Sequence, residues 1–313
     1  MRNLDEIAKK HYEELSPLVS GRLHGLKVRQ RDFIRRNLKE ILIGKPKDLL
    51  EINRAFLAYC TLAGSQHRIS GASALVGLKS VFNYKHFTVT NAGYYCGYDL
   101  ASSLNVTTCP YCNRNYTVTV DRKKRTTRPD FDHFLPKKDY PLFGLSFYNL
   151  VPSCLICNRS VKNQQEVIYG EVIHPYEEGF GTAGKIGYIP LNTDSAIGLD
   201  NKFSINLKLN PMEPTKALKC QKNFDLFQLK EIYEKSHGGE ISDIIRRHHI
   251  SNGSYLIELN KAFPDLGDIE ELYRIAFGNF YAEDNFLAKP LSKLTKDVVD
   301  HLEFINPVIR SPK

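Results

Sequence analysis

The chain has 313 residues, 42% apolar and 25% charged, enough to bury a sizeable core in roughly one to three domains. No run approaches the ~18 apolar residues of a membrane span, and the charged start MRNLDEIAKKHYEEL lacks the apolar centre of a signal peptide. The expectation is therefore a cytoplasmic protein with no membrane partner. A net charge of +8 and a pI near 9.0 suit a polyanionic partner such as nucleic acid, without requiring one.

Residues 1–70 read as helices. In LDEIAKKHYEEL, Leu4, Ile7, Ala8 and Tyr12 recur at helical spacing. A second helix is predicted from Val28 to Ile43, stopped by Gly44 and Pro46, and a third from Lys47 to Ala63. The second carries Arg29, Arg31, Arg35, Arg36 and Lys39, either a partner-facing ridge or a solvated face. Residues 64–108 are mixed, with one short helix expected; Tyr94, Tyr95 and Tyr98 can stack on bases or fill core. NYTVTVD, after Cys112, reads as a strand, and RKKRTTR as a basic turn. Further on, GKIGYIPLN and NKFSINLKLNP read as short strands between Gly- and Pro-rich turns. From Phe224 the pattern is helical again, with helices expected over 269–281 and 291–304 after a turn at Pro264–Gly267. His248 and His249 are adjacent, so on a helix they diverge by about 100° and make a poor metal pair. There is no internal repeat or low-complexity tract.

Residues 109–162 carry the chemistry. Two Cys-x-x-Cys pairs, Cys109/Cys112 and Cys154/Cys157, offer four thiolates, the tetrahedral set of a closed structural Zn²⁺ site. Two disulfides or unrelated core thiols are the alternative, but nothing indicates secretion, and seven cysteines fit a reducing compartment. Cys60, Cys96 and Cys220 are expected to be buried thiols. Between the pairs lies DFDHFLPKKDYP, an alternating stretch plausible as a strand. Consecutive strand residues point to opposite faces. Asp132 and His133 therefore need a bend, at Leu135-Pro136, to serve one site. A carboxylate suits Mg²⁺ and an Asn oxygen can complete its protein ligands. A neutral His can take a proton from water. Taken singly, Asp132 can be a turn residue, His133 a core histidine, and Asn149 and Asn158 caps.

The ordered motifs Asp132-His133-Phe134-x-Pro136, Asn149-Leu-Val-Pro152 and Cys154-x-x-Cys157-Asn158-x-x-x-Lys162 resemble the HNH endonucleases with a ββα-metal site and a four-cysteine zinc. The resemblance spans Cys109 to Lys162 and leaves the flanks uncovered. It implies that Asp132 and Asn158 hold a catalytic Mg²⁺ or Mn²⁺, that His133 is the general base, and that Asn149 orients His133. It makes Cys109, Cys112, Cys154 and Cys157 ligands of a structural Zn²⁺. The third HNH position is Asn here, which favours a hard ion. CPYCNRNY, DHFLPK and SFYNLVPSC are also similar to bacterial anti-phage HNH proteins of the Septu and retron-associated kind, which implies an antiviral role beside an ATPase partner.

The expected fold class is α+β, a mainly helical protein with an embedded zinc-stapled ββα-metal module. Its expected parts are an N-terminal helical region over 1–104, the HNH module over 105–170, and a strand-turn segment and helical region over 171–313. The substrate is nucleic acid, DNA ahead of RNA, with backbone contacts from Arg122, Lys123, Lys124, Arg125, Lys137 and Lys162. The alternatives are a non-catalytic, zinc-stabilised nucleic-acid-binding module and an adaptor subunit.

Overall fold

A computed structural model describes residues 3–89, 94–120, 126–163, 165, 167–264 and 268–303. The chain forms two compact units, each discontinuous in sequence: Met1–Val106, Thr117–Asn158 and Asn163–Glu177 in one; Thr107–Tyr116, Arg159–Lys162 and Glu178–Lys313 in the other. The architecture is α+β, mainly helical, and the described residues form two antiparallel two-stranded sheets.

In the first unit, helix α1 (Leu4–Gly21) buries Ala8, His11, Leu15 and Val19, one stripe at helical spacing. It continues past the predicted LDEIAKKHYEEL because Leu15 and Val19 extend that stripe, even through Pro17. The helix expected over 28–43 is two, α2 (Val28–Arg36) and α3 (Leu38–Ile43). The break falls at Asn37, whose side-chain amide donates to Phe33 O at 2.8 Å, a local bond that competes with helix continuation. Helix α4 (Pro46–Thr61) starts on a proline, which lacks an N–H the first turn would leave unused.

Four short helices follow where one was expected: α5 (Gly71–Leu75), α6 (Leu78–Val81), α7 (Tyr84–Thr88) and α8 (Gly97–Leu104). Local stop and start signals divide them. Ser70 Oγ caps α5, Gly77 turns left-handed before α6, and Asn83 Oδ1 caps α7.

His11 is fully buried in this helical layer. Its Nε2 lies 2.8 Å from Leu145 O, and a carbonyl only accepts, so Nε2 carries the proton. Nδ1 then accepts from Tyr95 Oη at 3.1 Å. Burial pushes its pKa down to about 4, against a weaker upward pull from the Leu145 carbonyl. As pH falls through about 6.5 the unfolded chain takes up a proton that the folded chain refuses until about 4. His11 therefore contributes stability above pH 6.5 that is lost as pH falls toward 4, roughly 3 kcal/mol in all. His11→Gln should flatten that share of the slope in denaturant melts taken across this range.

Strands β1 (Asp130–His133) and β2 (Leu150–Ser153) pair antiparallel, with Asp130 opposite Ser153, Asp132 opposite Val151 and His133 opposite Leu150. The described part of NYTVTVD, residues 115–120, does not form the expected strand. Only the isolated bridges Thr108–Tyr116 and Val120–Thr127 occur there. Its alternation is turned the other way: Tyr116, Val118 and Val120 are exposed, while Thr117 is buried and donates to Val106 O.

In the second unit, β3 (Gly184–Pro190) and β4 (Phe203–Leu209) pair along their whole length, as their sequences suggest. Around them lie α9 (Thr193–Ala196), α10 (Pro214–Leu226), α11 (Leu229–Ser236), α12 (Gly238–Ile250), α13 (Tyr255–Ala262), α14 (Ile269–Phe277) and α15 (Ser292–His301). Of the turn expected at Pro264–Gly267, residues 265–267 lie outside the described residues.

Candidate functional site

The four cysteines of the two pairs come together. All are buried, and their sulfurs lie within 4.8 Å of one another. Four sulfurs at 2.3 Å around one zinc stand about 3.8 Å apart, so this cluster fits a tetrahedral Zn²⁺ with little closure. Among the described residues, which include all seven cysteines, no disulfide forms. In the second pair the Cys157 N–H is aimed at Cys154 Sγ at 3.5 Å, an interaction that favours a thiolate. The first pair is braced from its own unit. Tyr233 Oη donates to Cys112 O at 2.7 Å, and Tyr111 stacks on Phe227 with ring centroids 4.3 Å apart. Cys60 and Cys220, outside the cluster, are buried, and burial pushes each thiol up to about 11; burial also raises the Cys96 thiol.

Asp132 and His133 end β1, both buried. His133 Nε2 lies 3.1 Å from Gly144 O, which places the proton on Nε2 and makes Nδ1 the basic nitrogen of the neutral ring. The ring meets Tyr84 of α7 edge-on, centroids 4.5 Å apart. Tyr84 Oη in turn donates to Phe131 O at 3.3 Å. Gly144 is pressed against the backbone before α7: a Cβ there would come within 2.8 Å of Phe82 O, so only glycine keeps the accepting carbonyl in place.

Asn149 is fully buried. Its Oδ1 accepts from Leu135 N at 2.7 Å, and its Nδ2 donates to Leu135 O and Phe143 O at 3.1 and 3.2 Å. These bonds pin the segment after β1 and Phe143, the residue before Gly144. Asn149→Ala would orphan two buried backbone groups, the N–H and C=O of Leu135, at about 1–3 kcal/mol each, while Phe143 O keeps the Ser146 N–H at 3.2 Å. A stability loss of about 3 kcal/mol or more is expected, read from the midpoint of denaturant unfolding.

Asn158 is half-buried in a π-helix, Ile156–Lys162, that follows β2. The Asn163 N–H reaches back five residues to Asn158 O at 3.0 Å, a wide turn that is frequent at functional sites. Asn163, with φ 45°, closes the helix. The Asn158 amide donates from Nδ2 to Asp130 Oδ2 at 3.3 Å. Asp130 and Asp132, two apart on β1, share one face of the strand. A carboxylate and an amide oxygen are hard donors, so the side chains of Asp132 and Asn158 are of the type that Mg²⁺ or Mn²⁺ takes.

Of the basic residues singled out, Arg122, Lys123, Lys124 and Arg125 lie outside the described residues. Lys137 is exposed, its ammonium 4.7 Å from the Tyr84 ring centre; partial burial and then the charge of Lys79 lower its pKa. Lys162 is buried, with 2% of its surface exposed. Sequence reasoning passed over Asp130, Tyr84 and Gly144. A period of two from Asp132 points to Asp130, whereas Tyr84 and the Gly144 carbonyl carry no local signal.

The chain matches no family model and no solved structure. Among curated proteins it is similar to Protein ea31 of Escherichia phage lambda, 37% identical over 70 residues, which are 22% of this chain and 20% of that protein. The chain thus spans about a fifth of the length of the curated relative it matches.

Proposed function

We propose that the chain is a metal-dependent HNH endonuclease that hydrolyses nucleic-acid phosphodiester bonds. One observation supports the reading: an antiparallel strand pair and the helix that follows it carry an acid (Asp132), a base (His133) and an amide (Asn158), drawn from two of the three motifs. The four-cysteine cluster beside Asn158 in sequence gives that scaffold a structural zinc.

His133, held through Nε2–H by the Gly144 carbonyl, accepts the proton of an attacking water at Nδ1. Asn149 keeps that carbonyl at its station by bonding Phe143 and Leu135. Asp132 and Asn158 hold the divalent ion; charge stabilisation on the phosphate and leaving oxygen is what Mg²⁺ or Mn²⁺ supplies when bound. Lys137, exposed beside Tyr84, and the basic run of residues 122–125 are the backbone contacts of this reading. DNA is the favoured substrate. The setting, cytoplasmic anti-phage defence with an ATPase partner, rests on the resemblance of CPYCNRNY and SFYNLVPSC.

The test is cleavage of supercoiled plasmid and of total RNA by the zinc-loaded chain with Mg²⁺ or Mn²⁺. Metal-dependent nicking of either is expected. No cutting of either by folded, zinc-loaded protein would overturn the reading in favour of a non-catalytic zinc-framed adaptor.

A further inference from the structure

An asparagine can hold a cation only through its oxygen, yet the two ends of a carboxamide are nearly the same shape. Turned over, the same side chain points two N–H donors at the ion. Something must tell the ends apart. Asp130 does so by chemistry: an ionised carboxylate only accepts, so the Asn158 end that lies 3.3 Å from Asp130 Oδ2 must be the nitrogen. The oxygen then occupies the other branch of the planar group. Asp130 also sits two residues before Asp132 on β1, on the same face of the strand.

We infer that Asp130 is a positioning residue that fixes the Asn158 carboxamide with its oxygen turned toward a divalent cation shared with Asp132. The inference rests on the metal site of the proposed nuclease. It separates two kinds of acid on one strand: Asp132 as ligand, and Asp130 as the group that orients a ligand. Partners of this kind typically change metal affinity 10- to 100-fold.

The experiment is Mn²⁺ binding to the full, zinc-loaded chain, followed by the electron paramagnetic resonance of free Mn²⁺, so that no substrate is needed. Asp130→Ala should weaken binding about 10-fold or more, with zinc content and melting temperature unchanged. Asp130→Asn offers Asn158 either an oxygen or an N–H, so it no longer tells the two ends apart and should lose affinity much as Asp130→Ala does. In an Asn158→Asp background the ligand has two equivalent oxygens and nothing to orient, so adding Asp130→Ala should cost no further affinity.

Wild-type affinity in Asp130→Asn would show that no accept-only partner is needed, and an undiminished loss in the Asn158→Asp background would show that Asp130 acts by charge; either would overturn the inference. Tight binding by both wild type and Asp130→Ala would overturn it alone. Absence of Mn²⁺ binding by wild type would overturn it together with the metal site on which it rests.

Discussion

His133→Ala is expected to reduce metal-dependent cleavage by about 10²–10⁴-fold, the range a positioned general base supplies. The substitution also removes a buried ring that packs on Tyr84 and satisfies Gly144 O. Orphaning that carbonyl costs about 1–3 kcal/mol by itself, so a lost rate could reflect a loosened module. His133→Gln separates the two effects. Its amide can still donate to Gly144 O and fills much of the same space, but it cannot take a proton from water. A true base predicts that both variants lose the rate while the glutamine form keeps more of the stability. Equal plasmid or RNA cutting by wild type and His133→Gln would remove His133 from the chemistry and leave it a core histidine. Zinc analysis on both variants should return the wild-type value, because neither change touches the four cysteines.

Cys154→Ser should release the zinc and cost at least about 4 kcal/mol, a fraction of the roughly 10–16 kcal/mol that structural Zn²⁺ contributes in small domains. At 2–4 °C per kcal/mol this is a fall of about 8–16 °C in melting temperature. The reason is geometric. Cys109/Cys112 and Cys154/Cys157 are brought within 4.8 Å across a long stretch of sequence, and without the ion four buried thiols have no tetrahedral centre to converge on. Cys60→Ala is the matched control: Cys60 is buried too, yet lies outside the cluster, so the zinc should stay. A metallated and equally stable Cys154→Ser protein would make the cluster an ordinary patch of core sulfur.

The sequence carried the parts of this site that depend on spacing. Two Cys-x-x-Cys turns announce a shared ion, and the sulfurs do converge. Alternation marked β1, and short runs between Gly- and Pro-rich turns marked β3 and β4; each forms with a strand partner along its edge. The same alternation misled at NYTVTVD, because pattern reports a face and not a partner; with only isolated bridges to pair it, Tyr116 and Val118 stay exposed. Helix boundaries between Gly71 and Leu104 depended on single caps such as Ser70 and Asn83, too local for periodicity to register. The partner of His133 was illegible for a different reason: it is a backbone carbonyl, and every residue has one. Lys162 reads as solvated or phosphate-facing, and nothing in a one-dimensional pattern foretells its burial.

Asn113, left-handed at φ 45° directly after Cys112, ties the first cysteine turn to residues far along the chain. Its Nδ2 donates to Phe286 O at 2.8 Å, its Oδ1 accepts from Lys293 N at 2.9 Å, and its carbonyl accepts from Leu291 N. The Lys293 contact closes over 180 residues. At 5–20 residues per second a ribosome needs roughly 9–36 s to cover that distance. During this interval Cys109 and Cys112 are already made, but the clamp that seats their turn is still unsynthesised. The turn therefore matures only once Lys293 has been made, and a nascent chain stalled before Phe286 carries the cysteines without the brace.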